Sequence, residues 1–429
     1  MSDTPVEGSF RAELPRTALA PEAHLSWILA RIHALPAVEL PLRDARGHTL
    51  AQEVTAPLPL PLWDNSAMDG YAVRAADLKS ASAAHPVTLR VCGEVAAGSA
   101  EDPPVPVASA VRIMTGAPLP SAADTVVPVE HTRGEDREQA WAAEHVTVLC
   151  APHPGANVRT QGEDVAHGAV LAGAGDELGA RRLAALAAAG IERVSVRRLP
   201  RVAVIATGSE LRKPGETLRR GQIPESNSVL LQSLLAENGI TATAVTVSAD
   251  NVSGFRSRLA ELEGEVDIII TTGGVGPGRH DIVRIALESE PDVIAARIAV
   301  RPGQPQCTGQ LAGGAWMFAL PGNPVSAAVS FELFVRPALL AVQGRTVIER
   351  PRVATTAEVP WRGVAGRLQV LPVRVAAGKD GLRCRPAVEP SGVSHAVGGH
   401  GAADGYALVP ADRGDVAAGE RVDVIMVGS

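Results

Sequence analysis

Residues Thr271 to Asp281, TTGGVGPGRHD, follow the apolar run Val266, Ile268, Ile269 and Ile270 and put four glycines into six positions before a helix pattern, IVRIAL, resumes. A buried strand, a glycine loop and a helix in this order suit an anion. Glycines let the backbone approach a phosphate, and a helix start adds partial positive charge. Asp281 is expected to cap that helix. The spacing matches neither the Walker loop, since no Lys-Ser or Lys-Thr follows, nor GxGxxG. A turn that only closes the strand-to-helix connection explains these residues as well.

Other segments carry chemistry-bearing residues, each with an ordinary alternative. WDNSAMDGYA holds Asp64, Asn65, Ser66 and Asp69, either paired carboxylates for a hard cation or a reverse turn. RTQGED holds Arg159, Glu163 and Asp164, a binding set or a surface ion pair. In TGSEL, Glu210 follows Thr207 and Gly208 at a strand end, where it serves a metal, a general base or a helix cap. Asp267 precedes three isoleucines and reads as a strand-entry residue or a catalyst. RPGQP supplies Arg301, able to fork onto a phosphate, and Gln304. His280 is the only histidine near the glycine loop.

The elements that must position these residues follow from periodicity. PEAHLSWILARIHAL puts Leu25, Ile28, Leu29, Ile32 and Leu35 on one helical face, and Pro36 stops it. Short strands around YAV, VTLRVCGEV, AVRIMTG, TVVPVEH and VTVLC form a small β-rich domain. ARRLAALAAAG is a helix closed by Gly190. From Val202 strands and helices alternate, which implies a parallel α/β sheet whose ligands sit beyond the strands' carboxyl ends. TGSE, the glycine loop and LPGNP, with Pro321, Gly322 and Asn323, share that rim. Asn323 and Pro324 open a further helix, with a kink expected at Pro337. After Pro351, strands and turns such as GKDG form a compact β-domain.

At 429 residues the chain needs two to four domains. A net charge of −7 argues against a nucleic-acid partner, so an anionic substrate must be met locally. Cys92, Cys150, Cys307 and Cys384 form no CxxC pair and signal neither a disulfide framework nor zinc. No signal-peptide core and no membrane-spanning apolar run is expected, which places the protein in the cytoplasm. With 42 Gly, 33 Pro and 3% aromatics, short strands and aliphatic packing are implied. Lys79, Lys213 and Lys379 are the only lysines among 40 basic residues.

Taken in order, WDNSAMDGYA, VRIMTGAPLPSAADTVVPVE, NVRTQGED, ATGSELRKPGETLRRGQIPESNS, TTGGVGPGRHD, RPGQP and LPGNPVSAAVSF resemble the MoeA family, the molybdopterin molybdenumtransferases that include the E domain of gephyrin. The likeness runs from about Leu25 to the C-terminus and is weakest after Pro351. It implies an elongated homodimer of multidomain α/β plus β class, with a central molybdopterin-binding α/β domain of parallel type and flanking β-rich domains. The implied divisions are 1–50 with 150–198, an elongated dimerisation domain; 51–149, an inserted β-rich domain; 199–345, the α/β domain; and 346–429, a β-barrel-like domain.

The activity implied is insertion of molybdate into adenylylated molybdopterin, with Mg²⁺ assisting release of AMP. By motif, Asp64, Glu210, Asp267 and Asp281 become the catalytic acids, with Glu210 and Asp281 on Mg²⁺. Ser66, Thr115, Arg159, Asp164, Thr207, Gly273, Gly274, Gly276, Gly278, Arg301, Gln304, Pro321, Gly322 and Asn323 become substrate-binding. Asp64 is expected to reach the glycine loop only across the dimer interface.

Two positions depart from the family pattern. Its usual G-G-x-S-x-G loses a hydroxyl at Gly276, and its KPGKP is RPGQP here, so Arg301 keeps a charge that Gln304 loses. Retention of the acidic residues favours the enzyme. The two departures favour a gephyrin-like scaffold that binds peptides of membrane-receptor or cytoskeletal partners. A CinA-like nucleotide hydrolase rests on the glycine loop alone.

Overall fold

The computed structural model describes residues 17–134, 141–142, 144–248, 251–278 and 281–427, so His280 lies outside the described residues. The α/β unit carries six strands in the spatial order Ala242–Ser248, Val202–Thr207, Ile268–Thr272, Trp316–Leu320, Pro305–Gln310 and Val293–Arg297. The first four are parallel, as the alternating pattern implies. Pro305–Gln310 runs antiparallel to both neighbours, so the sheet is mixed and not purely parallel. The connections from Val293–Arg297 to Pro305–Gln310 and from there to Trp316–Leu320 contain no helix and return each strand antiparallel, whereas the connections from Val202–Thr207 through Ile268–Thr272 to Val293–Arg297 contain helices.

Alternation along each central strand feeds two cores. Val202, Val204, Ile268, Ile270 and Phe318 pack with Leu231 and Leu235 on one face. Ala203, Ile205, Ile269 and Met317 pack with Phe255 and Leu262 on the other. Both faces are covered, which is why IIITT and VAVIAT read as continuous apolar runs.

The last helix of the unit runs from Pro324–Ser330 through a π-helical segment, Phe331–Val335, into Arg336–Val342. The irregularity expected at Pro337 therefore falls on the preceding five residues. Pro337 has no N–H for the carbonyl one turn back, and the wider π turn absorbs the loss. Contrary to the expectation of no such run, this 19-residue stretch is long and apolar enough to cross a membrane, but 83% of its apolar window is buried in the core.

The first helix is Pro21–Leu29, shorter than its apolar pattern. It packs on the α/β unit: Ile28 and Ile32 join its core, and His24 meets Phe334 edge-on at 5.0 Å. Residues 21–32 thus belong in space with the α/β unit, although the sequence division groups them with the N-terminal domain. That domain is built from two stretches of chain. Ala37–Pro41 and Thr49–Leu50 flank Arg193–Arg197 in one sheet over Leu178, Leu186 and Val194. Helix Ala180–Ala188 is followed by Gly190 at φ +83°, the expected left-handed end.

Between these stretches, Thr125–Pro128, Gly70–Val73, Ser109–Ile113, Val87–Val95, His145–Val148 and Thr132–Arg133 form a six-stranded sheet in that order. At the C-terminus, strands Leu368–Gly378, Gly381–Pro386, Arg352–Ala357, Arg421–Met426 and Gly405–Val409 follow one another, and Gly405–Val409 pairs back onto Leu368–Gly378. The sheet closes on itself as a barrel. Val300–Arg301 pairs with Leu368 and Gln369 at the start of Leu368–Gly378 and ties the barrel to the α/β unit.

Candidate active site

The strand order reverses at Val202–Thr207, because the next strand in sequence, Ala242–Ser248, lies on one side and Ile268–Thr272 on the other. At such a switch point the loops at the carboxyl ends part and leave a crevice. Three loops meet there. Gly273 N–H donates to Leu320 O at 3.0 Å, and a Cβ on Gly322 would stand 3.3 Å from Gly273 Cα. Gly273 has φ +95°, and a Cβ on it would lie 2.6 Å from Thr207 O. Gly274 has φ +68°, with Val283 Cγ2 at 3.1 Å from the corresponding position. Glycine is required at both by conformation and by space. Thr207, itself buried, donates through Oγ1 to Thr272 O at 3.2 Å.

Asp281 does not cap the helix. Its Oδ2 accepts from Gly278 N–H at 2.6 Å, and the helix Ile282–Ala286 is only five residues long. The tight turn from Gly278 reaches the carboxylate before any helical N–H does. A helix of five residues carries little dipole, so the backbone donors on this side of the crevice are those of the loop. Gly276 leaves room for the same carboxylate, since a Cβ there would lie 3.1 Å from Asp281 Oδ2. Across the crevice, the Glu210 carboxylate folds over Gly208, with both oxygens 2.7 Å from where a Cβ would be. Glu210 and Asp281 thus follow the ends of adjacent parallel strands.

Two residues on this rim were not singled out from the sequence. Asn227 Nδ2 donates to Thr272 Oγ1 at 2.8 Å and to Gly322 O at 2.7 Å, binding the glycine-loop strand to the LPGNP loop. Glu225 accepts from Ser228 N–H at 2.9 Å and from the Ser228 hydroxyl, so the helix Asn227–Glu237 carries its own carboxylate at its start. Their signal was the polar ESNS immediately before an apolar periodic run. Asn323 does stand before Pro324 at the helix start, but its side chain makes no capping bond. Pro321 is buried between the loops.

Residues 301–304 reach the same rim because Pro305–Gln310 runs antiparallel to Trp316–Leu320, with Cys307 opposite Ala319. Gln306 holds the turn, donating from Nε2 to Gly303 O at 2.9 Å and to Ser330 Oγ at 2.7 Å. Arg301 Nη2 donates to Ser391 O of the C-terminal barrel at 2.8 Å. Gln304 is half-buried and accepts from Ile298 N–H through its backbone at 2.8 Å.

A second cluster gathers Asp64, Ser66, Thr115, Arg159 and Asp164. Asn65–Ser66 pairs antiparallel with Val158–Arg159. Asp64 Oδ1 accepts from Gln161 N–H at 2.7 Å, and Gly116 N–H donates to Ser66 O at 2.8 Å. Asp164 N–H donates to Leu60 O at 3.0 Å. The backbone N–H and the hydroxyl of Thr115 both donate to Asp69 Oδ1, at 2.7 and 2.8 Å, and hold that carboxyl below the ordinary range. Among the described residues, none of these five side chains bonds to the crevice.

Asp267 stands apart from both clusters. It precedes the strand Ile268–Thr272 at its amino end, whereas the glycine loop leaves the carboxyl end. Burial pushes its carboxyl up, but hydrogen bonds from Arg198 and Arg201 outweigh this and hold it well below the usual carboxylate range. The expectation that it flanks the loop as a catalytic acid is corrected: two acids that bracket one strand in sequence lie at its opposite ends in space.

The chain matches three family regions in succession: the MoeA N-terminal region, domains I and II, at residues 19–190; a probable molybdopterin binding domain at 203–341; and the MoeA C-terminal region, domain IV, at 355–427. Among curated relatives, molybdopterin molybdenumtransferase 2 of Mycobacterium tuberculosis is 39% identical over 77% of this chain and 81% of its own. The molybdopterin molybdenumtransferase of Haemophilus influenzae is 34% identical over 90% of this chain and 92% of its own. Among solved structures, a molybdopterin biosynthesis MoeA protein from Pyrococcus horikoshii covers 96% of this chain and 100% of its own at 27% identity, with a TM-score of 0.80. By these matches in chain order and by the fold they share, the chain belongs to the MoeA family.

Proposed function

We propose that this protein is a molybdopterin molybdenumtransferase that inserts molybdate into adenylylated molybdopterin and releases AMP. The observation that carries the reading is the crevice at the switch point, where Gly273 and Gly274 are sterically obligatory and the carboxylates of Glu210, over Gly208, and Asp281, on Gly278 N–H, stand at the ends of adjacent strands. Substrate phosphates fit the loop amides, and the bulk of the pterin and nucleotide fits the rim of Thr207, Pro321, Gly322, Asn323, Arg301 and Gln304. The curated relatives that match bear the transferase name, which favours the enzyme over the gephyrin-like scaffold.

Mg²⁺ suits the donor set. Among the described residues no three His, Cys, Asp or Glu side chains converge, so two carboxylates would leave most of the coordination shell to water and phosphate oxygens, as Mg²⁺ prefers. Glu210 and Asp281 would hold it, and it would neutralise phosphate charge as AMP leaves.

The second cluster completes the site from another copy of the chain in a homodimer. Exposed Leu62, Trp63 and Met68 flank Asp64 along the chain, and exposed Ile223 donates its N–H to Glu210 O at 3.0 Å. Apolar surfaces of this kind on a monomer mark association. A cytoplasmic location suits the four free cysteines. The test is in vitro conversion of adenylylated molybdopterin and molybdate, scored by AMP release and by reconstitution of a molybdenum-free apoenzyme. Absence of both products, with intact peptide binding, would leave the scaffold.

A further inference from the structure

Behind the glycine loop stands a buried arginine that no motif singled out. Arg284, 7% exposed, lies on the short helix Ile282–Ala286. Its Nε–H donates to Gly276 O at 2.9 Å, its backbone N–H donates to Gly274 O at 3.0 Å, and its Nη1 lies 3.3 Å from Glu288 Oε1. One residue therefore draws two of the loop's glycine carbonyls inward.

In a trans peptide the C=O and the following N–H point opposite ways. With Gly274 O turned in, Val275 N–H is turned out, while the Val275 side chain, 2% exposed, anchors the residue in the core. Pro277 has no N–H, so turning Gly276 O inward adds no donor to the outer face but takes from it a carbonyl oxygen that would repel a phosphate. A run this rich in glycine has many backbone options of its own, and fixed partners must choose among them. Gly273 N–H on Leu320 O and Gly278 N–H on Asp281 hold the two ends; the middle is held by Arg284.

We propose that Arg284 is a positioning residue that sets the amide face of the glycine loop for substrate phosphate without touching the substrate. The phosphate part rests on the molybdenumtransferase reading; the ordering of the loop does not. The test compares the full-length wild type with Arg284→Met and Arg284→Lys. In the unliganded proteins, amide exchange over residues 271–278 should rise about tenfold in Arg284→Met, the scale of one charge-assisted hydrogen bond, with exchange over Val202–Thr207 unchanged. By calorimetry with AMP and Mg²⁺, the Met variant should bind about tenfold more weakly and Lys, which keeps a charged donor, should recover most of the loss. In turnover, KM should carry the loss and kcat should stay within about threefold, because the loop grips the phosphate throughout.

Unchanged loop exchange in Arg284→Met overturns the proposal. If the loop loosens but AMP does not bind even to the wild type, the positioning role stands and the functional reading falls. If Val202–Thr207 also loosens in the Met variant, Arg284→Lys decides: a folded domain with a wild-type loop supports the role, and a folded domain with a loose loop overturns it.

Discussion

The Asp267 carboxylate receives both terminal nitrogens of Arg198, Nη1 at 2.6 Å and Nη2 at 2.7 Å, and shares its remaining acceptor capacity with Arg201. This fork joins the start of the central strand to the connection from the N-terminal domain. Asp267→Asn should therefore lower stability by about 2 kcal/mol while leaving AMP affinity unchanged, because it strands two guanidinium groups far from the crevice. The folded pKa is lowered, so the wild-type contribution is present above about pH 4, the unfolded value, and fades as pH falls below it. Urea denaturation at pH 7 and pH 3 checks both statements, since the gap between the two proteins should narrow at the lower pH without closing.

Subunit mixing tests the shared site. Asp64→Asn and Glu210→Gln should each be inactive alone. If one site takes Asp64 from one copy and Glu210 from the other, refolding the two variants together at equal concentration should restore about a quarter of wild-type activity, since half the dimers are mixed and each has one intact site. No recovery would place both acids in one chain's site.

Gln304 stands on the rim where a lysine would bring a point charge to a phosphate or to molybdate. Gln304→Lys should raise turnover by roughly tenfold or more, the worth of one charge-assisted hydrogen bond realised in the transition state. Gly276→Ser should behave differently, because its Cβ stands 3.1 Å from Asp281 Oδ2 and the carboxylate must shift. Its signature should be altered Mg²⁺ dependence, read from rates across a Mg²⁺ titration.

His24 is buried against Phe334, with neither ring nitrogen bonded among the described residues, and burial lowers its pKa to about 4. The folded state excludes a proton that the unfolded chain takes up near pH 6.5, so the stabilisation is complete above that pH and is lost as pH falls toward 4. The loss should total roughly 3 kcal/mol. Chemical denaturation at stepped pH should show this slope in the wild type and not in His24→Leu.

Gly273→Ala forces a φ of +95° on a residue with a Cβ and drives that Cβ to 2.6 Å from Thr207 O. AMP binding should fall by at least about tenfold, with a stability cost of about 2 kcal/mol. Wild-type affinity would mean the loop is not where the nucleotide sits.

The order of loops along the chain was legible in the residues themselves, because apolar runs such as IIITT and VAVIAT end abruptly in glycines and polar residues. The same runs announced a sheet covered on both faces. The reversed strand between Gln304 and Trp316 was not legible, since a strand's direction depends on which neighbour it pairs with. Asp267 shows the limit most plainly. Nothing local distinguishes an acid at the start of a strand that serves a site from one that serves two arginines, because its partners Arg198 and Arg201 lie more than sixty residues away in sequence. Arg284, Asn227 and Glu225 were equally silent, for their work is done on carbonyls, hydroxyls and amides brought to them by the fold. Residue type and spacing named the chemistry of the loops; only the tertiary structure, by setting strand order and direction, decided which of them share a crevice.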